Sequence, residues 1–169
     1  MPLMRITHEH GTLTDAQKTR FAEEVTHALL IGEGGADTPA GRSVAYVIFD
    51  EVGPRTWYVG GALVPPANRF LFDVVYPDGA SNQSAKTALH AAINRAMATV
   101  LGVTDANEWV IVHEIKEGAW GVGGRTIGVR DVARLIGALP ERAAYFEPLL
   151  AAHKRAHEAH DYPDGAGIY

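Results

Sequence analysis

The sequence predicts an α/β fold made of two consecutive β-α-β units, with a four-stranded mixed sheet and two helices on one of its faces. Two observations carry this prediction: the chain repeats itself, and each repeat has the same order of strand, turn, capped helix and strand. We expect residues 1–139 to form a single domain of two lobes, 1–67 and 68–139, followed by a helical C-terminal extension over 140–169.

The repeat is visible in four landmarks that recur at one offset. Glu51 and Trp57 return as Glu114 and Trp120, each 63 residues later, and the Gly-Gly pair of the Trp-x-Val-Gly-Gly motif returns at the same spacing. Four matches at one offset indicate a duplication rather than chance.

In the first unit, an apolar strand from Pro2 to His8 leads through Gly11 to a helix start. Thr14 and Gln17 have the spacing of a capping box, which satisfies free N–H groups at a helix N-terminus. The helix should end by Gly32. Its predicted apolar face consists of Phe21, Val25, Ala28 and Leu29.

The second unit repeats this order. A strand from Phe70 to Tyr76 leads through a Pro-Asp-Gly turn to a cap at Ser81 or Asn82, and Gly102 should end the helix. The predicted apolar face consists of Leu89, Ile93, Met97 and Val100.

The strands themselves are nearly continuous apolar runs, at Tyr46–Phe49, Phe70–Val75 and Trp109–Val112. Such runs indicate that both faces of the sheet are covered. Two helices can cover only one face, so we expect self-association to cover the other. A ferredoxin-like βαββαβ sheet has the same order of elements, and small strands after each Gly-Gly pair would favour the tandem β-α-β arrangement.

Composition excludes several functions. The 169-residue chain has a formal charge of −5 and no run of Lys or Arg that could follow a phosphate backbone, so no nucleic-acid partner is expected. It contains no cysteine, which rules out disulfides and thiolate metal sites and fits a cytoplasmic location. It also has no signal-peptide core and no membrane-length apolar stretch, so no membrane partner is expected.

The Met-Pro start, the Gly turn, the Thr-capped helix, the Val-Ile-x-x-Glu strand and the Trp-x-Val-Gly-Gly motif resemble the 4-oxalocrotonate tautomerase family over about residues 1–125. The doubled unit resembles fused members such as cis-3-chloroacrylic acid dehalogenase, malonate semialdehyde decarboxylase and macrophage migration inhibitory factor. The resemblance implies a tautomerase (MIF-like) fold, a homotrimer and no cofactor or metal.

The resemblance also implies that Pro2, exposed by removal of Met1, is the catalytic base, acting on a 2-oxo acid or enol substrate. Free α-amino groups titrate at about 7.7 to 8.0, so the site must lower the pKa of the prolyl amine by burial or nearby positive charge. Alternatives are a proline-dependent hydratase, decarboxylase or dehalogenase of a small three-carbon acid.

The sequence departs from the family at the positions of the two substrate arginines. These fall on Thr12 and Tyr46 in the first unit and on Ala80 and Trp109 in the second. A non-catalytic trimeric scaffold is therefore the competing hypothesis.

Four other residues are candidates for binding a small carbonyl or carboxylate substrate. Arg125 follows the second Gly-Gly pair and could bind a carboxylate through its guanidinium, with Arg5 and Arg42 as weaker candidates. Trp120 could form an aromatic wall or belong to the core, and Tyr46 takes an arginine position. His27 lies one residue from the place of the dehalogenase histidine, but an exposed helical histidine is the favoured interpretation.

Two other patterns have structural explanations. His153, His157 and His160 share one face of a predicted helix and could chelate a metal, but a solvated helix face is the simpler interpretation. Glu51 and Glu114 occupy matched positions, which favours a shared structural role over a catalytic one.

Overall fold

A computed structural model describes residues 2–33, 37–63, 69–102 and 107–135, with residues 144, 147, 148, 150–152 and 155 beyond them. Most of the predicted extension, including all three histidines of its helical face, lies outside the described residues. In chain order the elements are β1 (Leu3–Glu9), α1 (Asp15–Gly32), α2 (Pro39–Arg42), β2 (Tyr46–Val52), β3 (Tyr58–Val59), β4 (Ala62–Leu63), β5 (Arg69–Pro77), α3 (Gln83–Leu101), β6 (Asn107–Ile115), β7 (Trp120–Val122), β8 (Arg125–Ile127) and α4 (Val129–Leu135).

The main sheet is four-stranded and mixed, with the order β2-β1-β5-β6. β1 is parallel to β2, β5 is parallel to β6, and the two inner strands β1 and β5 are antiparallel. Each long helix therefore connects two strands that lie side by side, whereas the ferredoxin-like alternative splits each β-α-β unit. The predicted tandem β-α-β fold is confirmed.

Helix α1 begins at the predicted capping box. The Thr14 hydroxyl accepts a hydrogen bond from the Gln17 backbone N–H at 3.2 Å, and the Gln17 side chain accepts one from the Thr14 N–H at 2.9 Å. All four residues of the predicted apolar face are buried against the sheet.

Helix α3 begins at Asn82, whose side chain accepts a hydrogen bond from the Ala85 N–H at 2.9 Å. It ends at Gly102, which has a φ of 69° and so adopts the left-handed conformation that glycine favours. The caps Thr14 and Asn82 are 68 residues apart. From the first strand to the end of the helix, each residue of the first unit therefore corresponds to the residue 68 positions later.

The core lies between the two long helices and one face of the sheet. Met4 and Ile6 of β1 and the even-numbered residues of β5 point into it and are completely buried. The other face keeps large apolar side chains exposed, among them Tyr46 at 51% and Trp109 at 75%. The helices thus cover only one face, as predicted, and coverage of the other by self-association stays a prediction.

Each Trp-x-Val-Gly-Gly motif forms a short hairpin, β3 with β4 and β7 with β8. The glycine pairs Gly60-Gly61 and Gly123-Gly124 all have positive φ, as a two-residue hairpin turn requires at both central positions. These are the small strands expected for the tandem arrangement.

The matched glutamates hold each helix to its sheet. Lys18 of α1 forms an ion pair with Glu51 at the end of β2, and Lys86 of α3 pairs with Glu114 near the end of β6 at 2.8 Å. The same contact occurs once in each unit, as the interpretation of a shared structural role predicts. None of the described helices is long and apolar enough to cross a bilayer.

The capping box gives a test of the fold's local energetics. Replacing Thr14 with Ala should lower the free energy of unfolding by about 1 kcal/mol, because a helix N–H loses its acceptor. Chemical denaturation monitored by circular dichroism measures this loss. Thr19→Ala is the matched control: the Thr19 hydroxyl only donates to the Asp15 carbonyl within the helix, so its loss should cost little. Equal effects of both changes would contradict the capping role.

Candidate active site at the start of the first strand

Pro2 is buried at the beginning of β1. Its carbonyl accepts a hydrogen bond from the Tyr46 N–H at 3.1 Å, which ties it to the start of β2. On the other side, the β1–β5 pairing aligns Leu3 with Val75, so the same register places Pro2 opposite Tyr76. Alternation along β1 puts the ring of Pro2 on the same face as buried Met4, beneath the helices.

Tyr76 is completely buried, with its hydroxyl directed at the end of α1. The hydroxyl donates a hydrogen bond to the Leu29 carbonyl at 3.4 Å. It also lies against Gly32 so closely that a Cβ atom at that position would be 2.5 Å from the hydroxyl oxygen. Burial raises the pKa of Tyr76 above its ordinary value, so the hydroxyl keeps its proton at neutral pH.

Glu33 follows Gly32 as the C-cap of α1 and is only 9% exposed. Burial raises the pKa of its carboxyl group. The charge of Glu33 in turn contributes, after burial, to the raised pKa of Tyr76. The end of α1 and the end of β5 therefore bring a carboxyl group and a hydroxyl group together inside the protein.

Tyr46 is joined to Pro2 through the backbone alone. It aligns with Leu3 across the β1–β2 pair, so its side chain lies on the exposed face of the sheet, opposite to the face of Pro2. Within one chain, the side chain of Tyr46 and the ring of Pro2 therefore lie on opposite sides of the sheet.

Trp120 and Arg125 lie on the hairpin β7–β8, which forms a sheet of its own rather than extending the main one. The Trp120 indole N–H is buried and has no hydrogen-bond partner among the described residues. Arg125 is exposed, and within the described part of the chain no side chain forms an ion pair with it. Of the weaker arginine candidates, Arg5 donates two hydrogen bonds to Asp50 at 2.7 and 3.0 Å.

His27 faces solvent on α1 and binds Asp37 at 2.9 Å. Asp37 also accepts hydrogen bonds from Arg42, which contacts Glu23 as well. Arg42 first and His27 second hold the pKa of Asp37 well below its ordinary range. The structure thus places His27 and Arg42 in an outer ion-pair network, apart from the buried Pro2. In the described ranges, no three His, Asp or Glu side chains are grouped so as to hold a metal ion.

Sequence reasoning missed Glu33 and Tyr76. A signal for Glu33 was present in the duplication itself: at the 68-residue offset of the helix caps, Glu33 corresponds to Leu101 and Pro2 to Phe70. Of the two units, only the first carries a carboxyl group at this position.

Comparison with known proteins finds a family model that matches part of the chain. Residues 73–130 match the family model described as Tautomerase enzyme. No curated protein matches the sequence.

Solved structures with the same fold cover most of the chain. A native fused 4-OT is 24% identical, with a TM-score of 0.60 over 80% of this chain and 98% of that chain. A member of the cis-3-chloroacrylic acid dehalogenase family is 18% identical, with a TM-score of 0.64 over 88% and 99%. Macrophage migration inhibitory factor of Toxoplasma gondii is 20% identical, with a TM-score of 0.59 over 74% and 99%. At these identities the likeness shows the fold.

The contact between Tyr76 and Gly32 can be tested by a double-mutant cycle. Gly32→Ala should destabilise the protein by about 1–3 kcal/mol, because the new methyl group overlaps the Tyr76 hydroxyl. In a Tyr76→Phe background the nearest ring carbon is 3.5 Å away, an ordinary contact, so the same change should be neutral or stabilising through the better helix propensity of Ala. Urea denaturation of the four proteins measures the coupling, and additive effects would show that the hydroxyl does not contact Gly32.

Proposed function

We propose that the chain is a member of the tautomerase superfamily in the layout that fuses two β-α-β units, and that it is a cofactor-independent isomerase whose general base is the amine of Pro2 after removal of Met1. The substrate is a 2-oxo acid or its enol, from which the amine takes a proton that is returned at another atom. The observation that carries the proposal is the burial of Pro2 in this fold, opposite Tyr76 in the register of β1 with β5.

Burial supports the role of a base in a specific way. Removing an ammonium ion from water disfavours its charged form, so the pKa of a buried prolyl amine falls and more of the neutral base is present near pH 7. The pyrrolidine ring also fixes the direction of the nitrogen, since it removes rotation about one backbone bond.

The oligomer is part of the proposal. Two fused 4-OT structures with this fold are trimers, one asymmetric and one symmetric. The exposed apolar face around Trp109, Ile111 and Tyr46 gives this chain a surface for the same assembly, and the β7–β8 hairpin stands clear of its own sheet. In a trimer, the hairpin of one chain can reach Pro2 of a neighbour. Trp120 then forms a wall of the site and Arg125 binds the carboxylate, while Tyr46 contacts the substrate from the same interface.

A substrate role for His27 is the weakest of these proposals, because its imidazole already binds Asp37. The domain boundary at 139 and a cytoplasmic location stay predictions.

One observation favours the scaffold hypothesis as a second candidate. At the family's arginine positions, the Thr12 hydroxyl donates to the Glu9 carbonyl at 2.6 Å and Ala80 is buried, so neither can bind a carboxylate by charge. The two hypotheses differ in one measurable property, which is whether turnover depends on Pro2.

Replacing Pro2 with Ala should lower kcat/KM for ketonisation of phenylenolpyruvate or 2-hydroxymuconate by about 100-fold or more, the usual range for loss of a positioned general base. Intact mass must first show that Met1 is absent from both proteins. Pro54→Ala, in an exposed turn, is the matched control and should keep full activity. Equal rates for the native chain and Pro2→Ala would leave only the scaffold.

Replacing Arg125 with Ala should raise KM for a carboxylate substrate by about 10-fold or more and change kcat less, because a charge-assisted hydrogen bond is lost in the ground state and transition state alike. Arg125→Lys should recover part of the loss, since it restores the charge without the planar fork. Arg95→Ala, on the exposed side of α3, is the control. An unchanged KM would remove Arg125 from the site.

A further inference from the structure

The β7–β8 hairpin is closed at its base by a carboxylate. Glu117, in the turn between β6 and β7, accepts a hydrogen bond from the Val129 N–H, which lies 3.3 Å from its Oε1 and 3.1 Å from its Oε2. Val129 is the first residue of α4, so its N–H has no carbonyl partner within the helix. Glu117 thereby links the segment that enters the hairpin to the helix that follows it.

Gly128, between β8 and α4, leaves the space that this contact needs. A Cβ atom at position 128 would lie 2.2 Å from Glu117 Oε1, so any side chain there would displace the carboxylate. Helix α4 itself is held on two sides. Val129 and Val132 are buried, and Arg130 donates a hydrogen bond to Glu147, beyond residue 139, at 2.9 Å.

The duplication shows that the carboxylate contact is specific to the second hairpin. At the 63-residue offset of the hairpin motifs, Glu117 corresponds to Pro54, whose side chain has no acceptor, and Arg125 corresponds to Ala62. The first unit forms its hairpin β3–β4 without either residue. The contact is therefore not needed to make a Gly-Gly turn, and it occurs on the hairpin that carries the candidate substrate arginine.

We propose that Glu117 is a positioning residue, which holds the β7–β8 hairpin on α4 and so sets where Arg125 and Trp120 lie. The inference rests on the proposed function, in which these two side chains contact the substrate. Trp120 pairs with Ile127 and Val122 with Arg125, so the two strands move together about the base that Glu117 closes. Without the carboxylate the hairpin opens more often, and a ligand then has to order it on binding.

Hydrogen–deuterium exchange tests the contact without using catalysis. In Glu117→Ala the amides of residues 120–129 should exchange about fivefold faster than in the native protein, as expected for loss of one capping bond. Gly128→Ala should give the same increase because its methyl group displaces the carboxylate, and the double variant should exchange no faster than either. Lys116→Ala, which removes an exposed side chain from the same turn, is the control and should leave exchange unchanged.

Ligand binding tests the positioning role. The probe is phenylpyruvate, titrated calorimetrically into Pro2→Ala protein so that turnover does not contribute. Adding Glu117→Ala should raise Kd by about fivefold. Glu117→Gln should raise it less, because the amide oxygen still accepts a hydrogen bond. In an Arg125→Ala background, Glu117→Ala should have a smaller effect, since the group that it positions is absent.

Equal exchange in the native protein and in Glu117→Ala overturns the inference. Faster exchange with an unchanged Kd also overturns it, because Glu117 would then cap α4 without positioning a ligand-binding group. Failure of phenylpyruvate to bind either the native or the Pro2→Ala protein overturns the positioning role as well. A raised Kd together with ketonisation that does not depend on Pro2 supports the inference and overturns the isomerase instead.

Discussion

The antiparallel pairing of β1 with β5 is the contact on which the rest of the structure depends. It joins the two units at the centre of the sheet and aligns Arg5 of one with Asp73 of the other. Because these residues are also 68 apart, the pairing relates the units by an approximate two-fold axis. One consequence is that the first residues of each unit lie opposite the last strand residues of the other, so Pro2 meets Tyr76 and Phe70 meets His8.

The two related ends of the sheet have diverged in chemistry. At one end His8 is completely buried, donates its Nδ1–H to the Glu9 carbonyl at 3.0 Å and lies between the rings of Phe49 and Phe70. That end is largely aromatic and apolar. At the other end Tyr76 lies opposite Pro2 in the strand register, and its hydroxyl lies against Gly32, the residue before Glu33.

The exposed face of the sheet has a charged centre within an apolar surround. Arg5 binds Asp50, and the His113 imidazole binds Asp73 at 2.8 Å, while Tyr46, Ile48, Trp109 and Ile111 lie around them. Charges paired inside an apolar surface restrict how a second copy can approach, since a misaligned contact would bury an unpaired charge. The same pairing engages Arg5.

Local signals in the sequence were sufficient for much of this fold. Capping by Thr14, the helix stop at Gly102, the apolar faces of both helices and the Gly-Gly turns depend on residues close together in the chain, so their patterns were readable directly. The duplication then supplied the order of the elements, and with it the tandem β-α-β fold. Only the tertiary structure decided which side chains lie on the same face of the sheet and close to one another. Tyr46 adjoins Pro2 in the backbone yet points to the opposite face, and Tyr76 lies opposite the proline although it belongs to the other unit. Those placements follow from the register between β1 and β5 and from the close approach of Tyr76 to Gly32, neither of which is expressed in any local pattern.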